Sequence, residues 1–348
     1  MAGGEIPPGT VLTSASTRTP GVVANFDIAP TVLAHLGLGD TTGTMIGAPV
    51  AGVAGSAKDV DRAFEALAGS AATRSPLLNA YLRYVQLVVL GSLLWVGRAF
   101  WRRYSLGRTA GEPEPGSGKY FLVSLAVLPF VFLLGPLCGS LGLPAATLLY
   151  AGLALFLTAL LTRIRSHAAL FLTLGLFNLG PILVDVVRGS PLMRSAVLGF
   201  NPLAGGRFYG IGNEYMGVLL GAALLAGAAF AGWRRERKNL QLVAVLFYAA
   251  LVYFLAAPNL GANAGGTVAA AAAFGAAVLW PCLGKRKTGW KTWLLLLGVF
   301  CLLGMTALVG LNLFLPFEVR SHVARVTELL LSGNLAPVWE ILARKAEA

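Results

Sequence analysis

Gly284-Lys285-Arg286-Lys287-Thr288-Gly289-Trp290-Lys291, followed by the uncharged run Thr292 to Leu315, decides the fold class. A basic cluster stands at one end, two tryptophans mark the boundary, and the apolar run is long enough to cross a bilayer. A crossing helix needs about 20 mostly apolar residues. Lys and Arg gather on the cytoplasmic side of such a helix, while Trp and Tyr sit at the interface.

The same signature recurs along the chain. Apolar runs extend from about Tyr84 to Trp101, Tyr120 to Gly139, Pro144 to Thr162, Ala168 to Val187, Tyr215 to Trp233, Leu240 to Ala257, Gly265 to Leu283 and Trp290 to Leu315. The expected fold class is an all-α polytopic membrane protein of about eight transmembrane helices, preceded by a short remnant of an α/β extracytoplasmic domain. The expected division is residues 1–78 for that remnant and its linker, 79–315 for the helical domain and 316–348 for a tail.

Composition agrees. Of 348 residues, 56% are hydrophobic and 12% are charged, about half the charge of a soluble domain. That excludes a disordered chain, a coiled coil and an ordinary nucleic-acid-binding domain; no nucleic-acid partner is expected. The net charge of +12 is placed by its distribution. Arg102, Arg103, Arg108 and Lys119 follow the first run, Arg163 and Arg165 the third, Arg234, Arg235, Arg237 and Lys238 the fifth, and Lys285 to Lys291 the seventh. The intervening connections Leu141–Leu143 and Pro258–Ala264 carry no Lys or Arg, and the long one after the fourth run carries only Arg188, Arg194 and Arg207. Basic connections stay cytoplasmic. The expectation is an inner or plasma membrane protein of bacterial type, with the N-terminal segment and the C-terminal tail outside and membrane lipids as partners. Trp95, Trp101, Trp233, Trp280, Trp290 and Trp293 are interfacial anchors.

Cys138, Cys282 and Cys301 lie in apolar runs without metal-ligand spacing, and His35, His167 and His322 form no cluster; buried free Cys behaves as a small hydrophobe. Arg108–Lys119, rich in Gly, Pro and Ser, has linker composition. After the last run, Val319, Val323, Val326, Leu329 and Leu330 recur at helical spacing, which predicts an amphipathic helix on the outer surface.

The N-terminal segment is not apolar. Ile28, Val32, Leu33 and Leu36 share one helical face, Asp27 is placed to cap that helix, Gly37 and Gly39 end it, and Val22, Val23 and Phe26 suit a short strand before it. No basic n-region and apolar run follows Met1, so an exported segment here implies sequence further upstream.

The run Leu12-Thr-Ser-Ala-Ser-Thr-Arg18-Thr-Pro20-Gly21-Val-Val-Ala-Asn25-Phe-Asp27-Ile-Ala-Pro30-Thr31-Val-Leu33-Ala-His-Leu36-Gly37 resembles the end of an alkaline-phosphatase-superfamily domain. Sulfatases, metal-dependent phosphoglycerate mutases and phosphodiesterases share an Arg-Pro-Gly turn, a strand, then Asp-x-x-Pro-Thr and a helix closing at Leu-Gly; Met45-Ile46-Gly47 resembles the loop that follows. The resemblance covers about residues 10–50. It implies two divalent metal ions held by Asp and His ligands and a Thr, Ser or formylglycine nucleophile, all upstream of the matched ending. His35 matches no ligand position. No metal or other cofactor is therefore expected in this chain, no catalytic residue in the remnant, and structural roles for Asp27 and Thr31.

The chemistry-bearing part of the helical region is Gly199-Phe-Asn201-Pro202-Leu-Ala-Gly205-Gly206-Arg207-Phe208-Tyr209-Gly210-Ile-Gly212-Asn213-Glu214-Tyr215-Met-Gly217, leading into the fifth run from outside. Its glycines do not follow the dinucleotide fingerprint. Pro258-Asn259-Leu-Gly261-Ala-Asn263-Ala-Gly265-Gly266-Thr267 enters the seventh run from the same side, and Asp185 ends the fourth. Polar groups at membrane depth face a cavity or one another. Asp185, Arg207, Tyr209, Asn213, Asn259 and Asn263 are thus the candidate substrate-binding residues, for a phosphate or a lipid-linked phosphate or glycan, and Glu214 is the candidate catalytic base. The plainer alternative pairs Arg207 with Glu214 or Asp185. Gly217/Gly221 and Gly261/Gly265 have the spacing of close helix packing.

The leading expectation is the membrane region of a cell-envelope protein coupled to an alkaline-phosphatase-like hydrolase or phosphotransferase, this chain alone being inactive. The alternatives are a transporter or flippase with a path past Asp185, Glu214 and Asn263, and a membrane-embedded glycan-transferring enzyme with its site at the outer face.

Overall fold

The computed structural model describes residues 10–38, 47–106, 116–233, 239–283 and 289–314. It is mostly helical, with a small two-stranded sheet at the N-terminus. Strands β1 (Thr10–Ser14) and β2 (Val50–Ala54) pair antiparallel, Thr10 opposite Ala54 and Ser14 opposite Val50, with helix α1 (Ile28–His35) between them in sequence.

The strand expected at Val22–Phe26 does not form; residues 22–24 are irregular and Asn25–Asp27 make a 3-10 turn. Gly21 N–H returns to the Leu12 carbonyl at 2.8 Å, and the Thr17 hydroxyl takes the Val22 carbonyl at 2.7 Å. The segment's backbone is thus consumed by turn contacts instead of a ladder. Asp27 holds the N-cap position of α1, but its side chain does not cap. The buried carboxylate turns away, accepting from Ser14 Oγ at 2.6 Å, Ala24 N–H at 3.1 Å and Ala48 N–H at 3.0 Å. Thr31 ties α1 to β2: its hydroxyl donates to the Asp27 carbonyl at 2.6 Å and accepts from Val50 N–H at 2.9 Å. Both residues knit the N-terminal unit together.

The helices that follow are α2 (Ala57–Leu106), α3 (Gly116–Leu134), α4 (Leu143–Leu161), α5 (His167–Val187), α6 (Asn213–Trp233), α7 (Asn239–Ala256), α8 (Ala264–Leu283) and α9 (Trp290–Phe314). Among the described residues six helices are long and apolar enough to cross a membrane: α2 to α6 and α9. The apolar stretches Leu242–Ala256 of α7 and Ala264–Trp280 of α8 are shorter. By helix length and hydropathy the protein is a multi-pass membrane protein. Helix α2 begins at Ala57, well before the apolar run expected from Tyr84, and its 50 residues extend about 75 Å at 1.5 Å per residue. Residues 116–119 of the expected linker belong to α3; the rest of it lies largely outside the described residues, as does the tail with its expected amphipathic helix.

Two apolar cores hold the bundle. The larger gathers Tyr215 and Leu219 of α6, Leu255 of α7 and Phe274 of α8 with Met193 and Ile211 from the connection between α5 and α6; the smaller joins α3, α4 and α5 through Val127, Ala154 and Leu174. Around them Leu94, Leu148 and Leu295 stand 74%, 76% and 68% exposed, a distribution that fits lipid rather than water. Helices α5 and α6 approach closely at Gly175, where a Cβ would meet the Ala222 carbonyl at 2.7 Å and Ala226 Cβ at 2.8 Å. Among the described residues Gly217 and Gly221 pack against no helix: they lie on the outward face of α6, and a Cβ on either meets nothing within 4 Å.

Candidate functional site

Three connections converge at one end of the bundle, residues 139–142, 188–212 and 257–263, and the N-terminal unit rests on two of them. We call this the docked end. Its architecture starts from Asp185 in the last turn of α5. The side chain is 3% exposed and accepts from Leu192 N–H at 2.8 Å and Met193 N–H at 2.9 Å, which folds the following loop back onto the helix. The neighbouring Arg194 guanidinium is drawn below its ordinary pKa by burial, with Asp185 opposing the shift, and its Nε is buried with no partner among the described residues. Ser190, at φ +62°, donates its hydroxyl to the Gly210 carbonyl at 2.8 Å.

Gly210 is where the two Gly-rich segments meet. It adopts φ +78°, and a Cβ there would run into the Gly261 carbonyl, which accepts from Ile211 N–H at 2.8 Å. Asn263 then locks the joint. Its amide donates to the Ile211 carbonyl at 3.1 Å and to Asn213 Oδ1 at 3.2 Å, while its own Oδ1 accepts from Gly266 N–H at 2.7 Å and so caps α8. Asp185 is therefore spent on backbone groups, and Asn263 on backbone groups and the Asn213 side chain.

Other predicted residues stay open. Arg207 is partly buried and reaches the Ala262 carbonyl at 3.5 Å. Burial lowers its pKa, while the nearby Tyr209 and Glu214 raise it. Glu214, in the first turn of α6, is exposed, as are Asn213 beside it and Asn259 on the adjoining connection. The structure thus brings Arg207, Tyr209, Asn213, Glu214 and Asn263 together, places Asn259 on the rim and sets Asp185 beneath the loop.

Two residues at this site were not among the candidate site residues read from sequence. Arg74 of α2 reaches the same place and interacts electrostatically with Glu214 and Tyr215. A single Arg just ahead of Pro76 and the long apolar run was its only mark. Arg18, in the turn of the N-terminal unit, donates from Nη1 to the Pro258 carbonyl at 2.8 Å and lies 4.2 Å over the Tyr209 ring. Thr19 Oγ1 donates to the Phe208 carbonyl at 3.3 Å, and the Phe26 and Phe208 rings meet edge to face at 6.5 Å. Arg18 and Ala262, on the two sides of this contact, have φ +49° and +45°, backbone that non-glycine residues adopt only when the surroundings enforce it.

Chemically this is a cationic rim with one free carboxylate. Arg74 and Arg207 each interact electrostatically with Glu214, and an anion bound near that carboxylate would gain from guanidinium partners. Among the described residues no three His, Cys, Asp or Glu side chains come together as a metal site. Comparison of the chain with protein-family models, with curated proteins and with solved structures found no match.

Proposed function

We propose that the chain is the membrane region of a bacterial cell-envelope protein, crossing the bilayer eight times with its docked end outside, that holds a lipid-linked phosphate between Arg74 and Arg207. It acts with an alkaline-phosphatase-like hydrolase or phosphotransferase domain, which residues 10–50 resemble in its closing segment. The metal ions and nucleophile of that domain would be supplied upstream of the resembling residues.

One observation carries this proposal. The resembling segment contacts the two Gly-rich connections through Arg18 and Thr19 of its turn and through Phe26. A domain built on that turn would stand directly over the arginine rim. The electrostatics favour a phosphate group there, because partly desolvated guanidinium groups gain most from a charged, bidentate partner.

The test is binding of a polyprenyl monophosphate to the chain in phosphatidylcholine nanodiscs, with the neutral polyprenol as control. Binding should favour the phosphate, and Arg207→Ala and Arg74→Ala should each weaken it about tenfold or more, the scale of a charge-assisted contact. Equal binding of phosphate and alcohol would overturn it. A second function is favoured by the exposure of Glu214: a membrane-embedded glycan-transferring enzyme with that carboxylate as base. Glu214→Gln would then abolish transfer while phosphate-lipid binding survives.

A further inference from the structure

A cavity opens at the docked end, lined by none of Arg74, Arg207 and Glu214. It is a cleft of about 350 Å³ between the first half of α2, the connection from α3 to α4 and the loop after α5, a size typical of small-molecule sites. Its α2 wall presents Arg62, Glu65, Ser70 and Thr73, and Ser140 faces them from the short connection. Residue 73 lines this cleft, whereas the next residue, Arg74, does not and interacts electrostatically with Glu214.

The chemistry of the wall is selective. Arg62 and Glu65 cancel, so the lining carries no net charge. Arg62 is moreover shared with Asp59 at 3.8 Å, and Glu65 would repel an anion. A phosphate therefore finds less here than at Arg74 and Arg207. The hydroxyls of Ser70 and Thr73 donate to the Leu67 and Ser70 carbonyls of their own helix, at 2.9 and 3.3 Å, which leaves their lone pairs free to accept. Glu65 also accepts, Arg62 donates and Ser140 can do both. Such a mixture suits a ligand made of hydroxyl groups, each a donor and an acceptor. The lining also includes Leu141 and Tyr150, apolar and aromatic side chains of the kind that take the C–H face of a sugar ring. On α4, Leu148 and Leu149, between the lining residues Ala146 and Tyr150, are exposed.

We propose that this cleft binds a neutral, hydroxyl-rich ring, a hexopyranoside, with its hydroxyls on the α2 wall and its apolar face on Tyr150. The site stands independently of phosphate binding at the arginine rim. The sugar could be carried on a lipid, its chain leaving along α4, or could be free.

The experiment uses the whole chain in phosphatidylcholine nanodiscs. Retention of monoglucosyl diacylglycerol is compared with that of diacylglycerol by native mass spectrometry, and methyl β-glucoside is tested by saturation-transfer NMR. The wild type should hold the glucolipid at least about tenfold better than diacylglycerol. The double variant Glu65→Ala, Thr73→Val should lose about tenfold, the scale of two hydrogen bonds. Ser140→Trp, which fills the cleft from an exposed connection, should abolish retention, and unchanged helical content would show both variants folded. Binding of the free glucoside, lost in the same variants, supports the site with a soluble sugar as its source; glucolipid binding without it assigns the source to lipid. No preference of either probe for the wild type, or a preference that both variants keep, overturns the proposal.

Discussion

Asp185 lies beneath the loop after α5, 3% exposed, with its oxygens holding the amides of Leu192 and Met193. Glu214, at the start of the next helix, stands exposed among Arg74 and Arg207. Both are carboxylates at the same end of the same bundle. The first is an internal strut: it replaces the water that two loop amides would otherwise need. The second is not needed to satisfy any described backbone group, and its surroundings are charged rather than peptide. The same division separates Asn263, with three hydrogen bonds to protein, from exposed Asn259. Polarity at the docked end therefore comes in two layers, one that builds the loops and one that faces out of them.

The largest effect expected from this division is on folding. Asp185→Ala leaves the Leu192 and Met193 amides without acceptors and removes the carboxylate beside partly buried Arg194. It should cost about 3 kcal/mol, since stranding buried polar partners is among the most damaging single changes. Glu214→Ala should stay within about 0.5 kcal/mol, as surface substitutions do. Thermal unfolding of both variants in one detergent measures the contrast. Similar melting temperatures for the two would erase the distinction between the layers.

A second test sharpens the same idea in the N-terminal unit, where Asp27 is the internal carboxylate. Burial raises its pKa, but the hydrogen bonds from Ser14, Ala48, Ser16 and Ala24 outweigh burial and hold it below the ordinary carboxylate value. A depressed carboxylate stabilises the fold fully above its unfolded pKa, and that stabilisation is lost as pH falls through the folded value. Amide exchange of β1, corrected for its intrinsic pH dependence, should show protection at pH 7 that fades below about pH 4. Asp27→Asn should leave β1 less protected at both pH values, because its amide group turns a donor toward the Ala24 or Ala48 N–H. A wild type equally protected at pH 3 would remove Asp27 as the fastener.

The helices were legible because a membrane span announces itself by length and apolarity alone, and residue order within it matters little. The same insensitivity hid the packing. The expected small-residue pair Gly217/Gly221 faces outward, while Gly175, with no glycine four residues away, makes the close crossing to α6. Strand β2, Val-Ala-Gly-Val-Ala, shows no alternation of apolar and polar residues that would mark it. At the docked end the residue types were readable but their directions were not. Asp185 and Glu214 look alike in a sequence, since nothing local says whether a carboxylate will meet a backbone amide or a guanidinium group. Arg74 was hidden for a different reason. Its partner Glu214 lies 140 residues further along, and only the path of α2 over the bundle joins them.

The smallest predicted effect has the opposite sign. Alanine at Gly217 or Gly221 adds a methyl group where nothing lies within 4 Å among the described residues, and it removes the backbone freedom that glycine loses on entering a helix. The gain is up to about 0.5–1 kcal/mol in an isolated helix. In a membrane it should be smaller, because a helix without water rarely unwinds even when detached. Gly175→Ala, by contrast, drives the same methyl into the Ala222 carbonyl and Ala226. The pair separates propensity from packing at constant chemistry. A melting temperature unchanged or slightly raised for Gly217→Ala, and clearly lowered for Gly175→Ala, places the tight seam of the bundle on the inner face of α6. A loss at Gly217 as large as that at Gly175 would instead mean that the outward face of α6 is covered in the membrane, and that the cationic rim above it opens toward a packed neighbour rather than toward lipid.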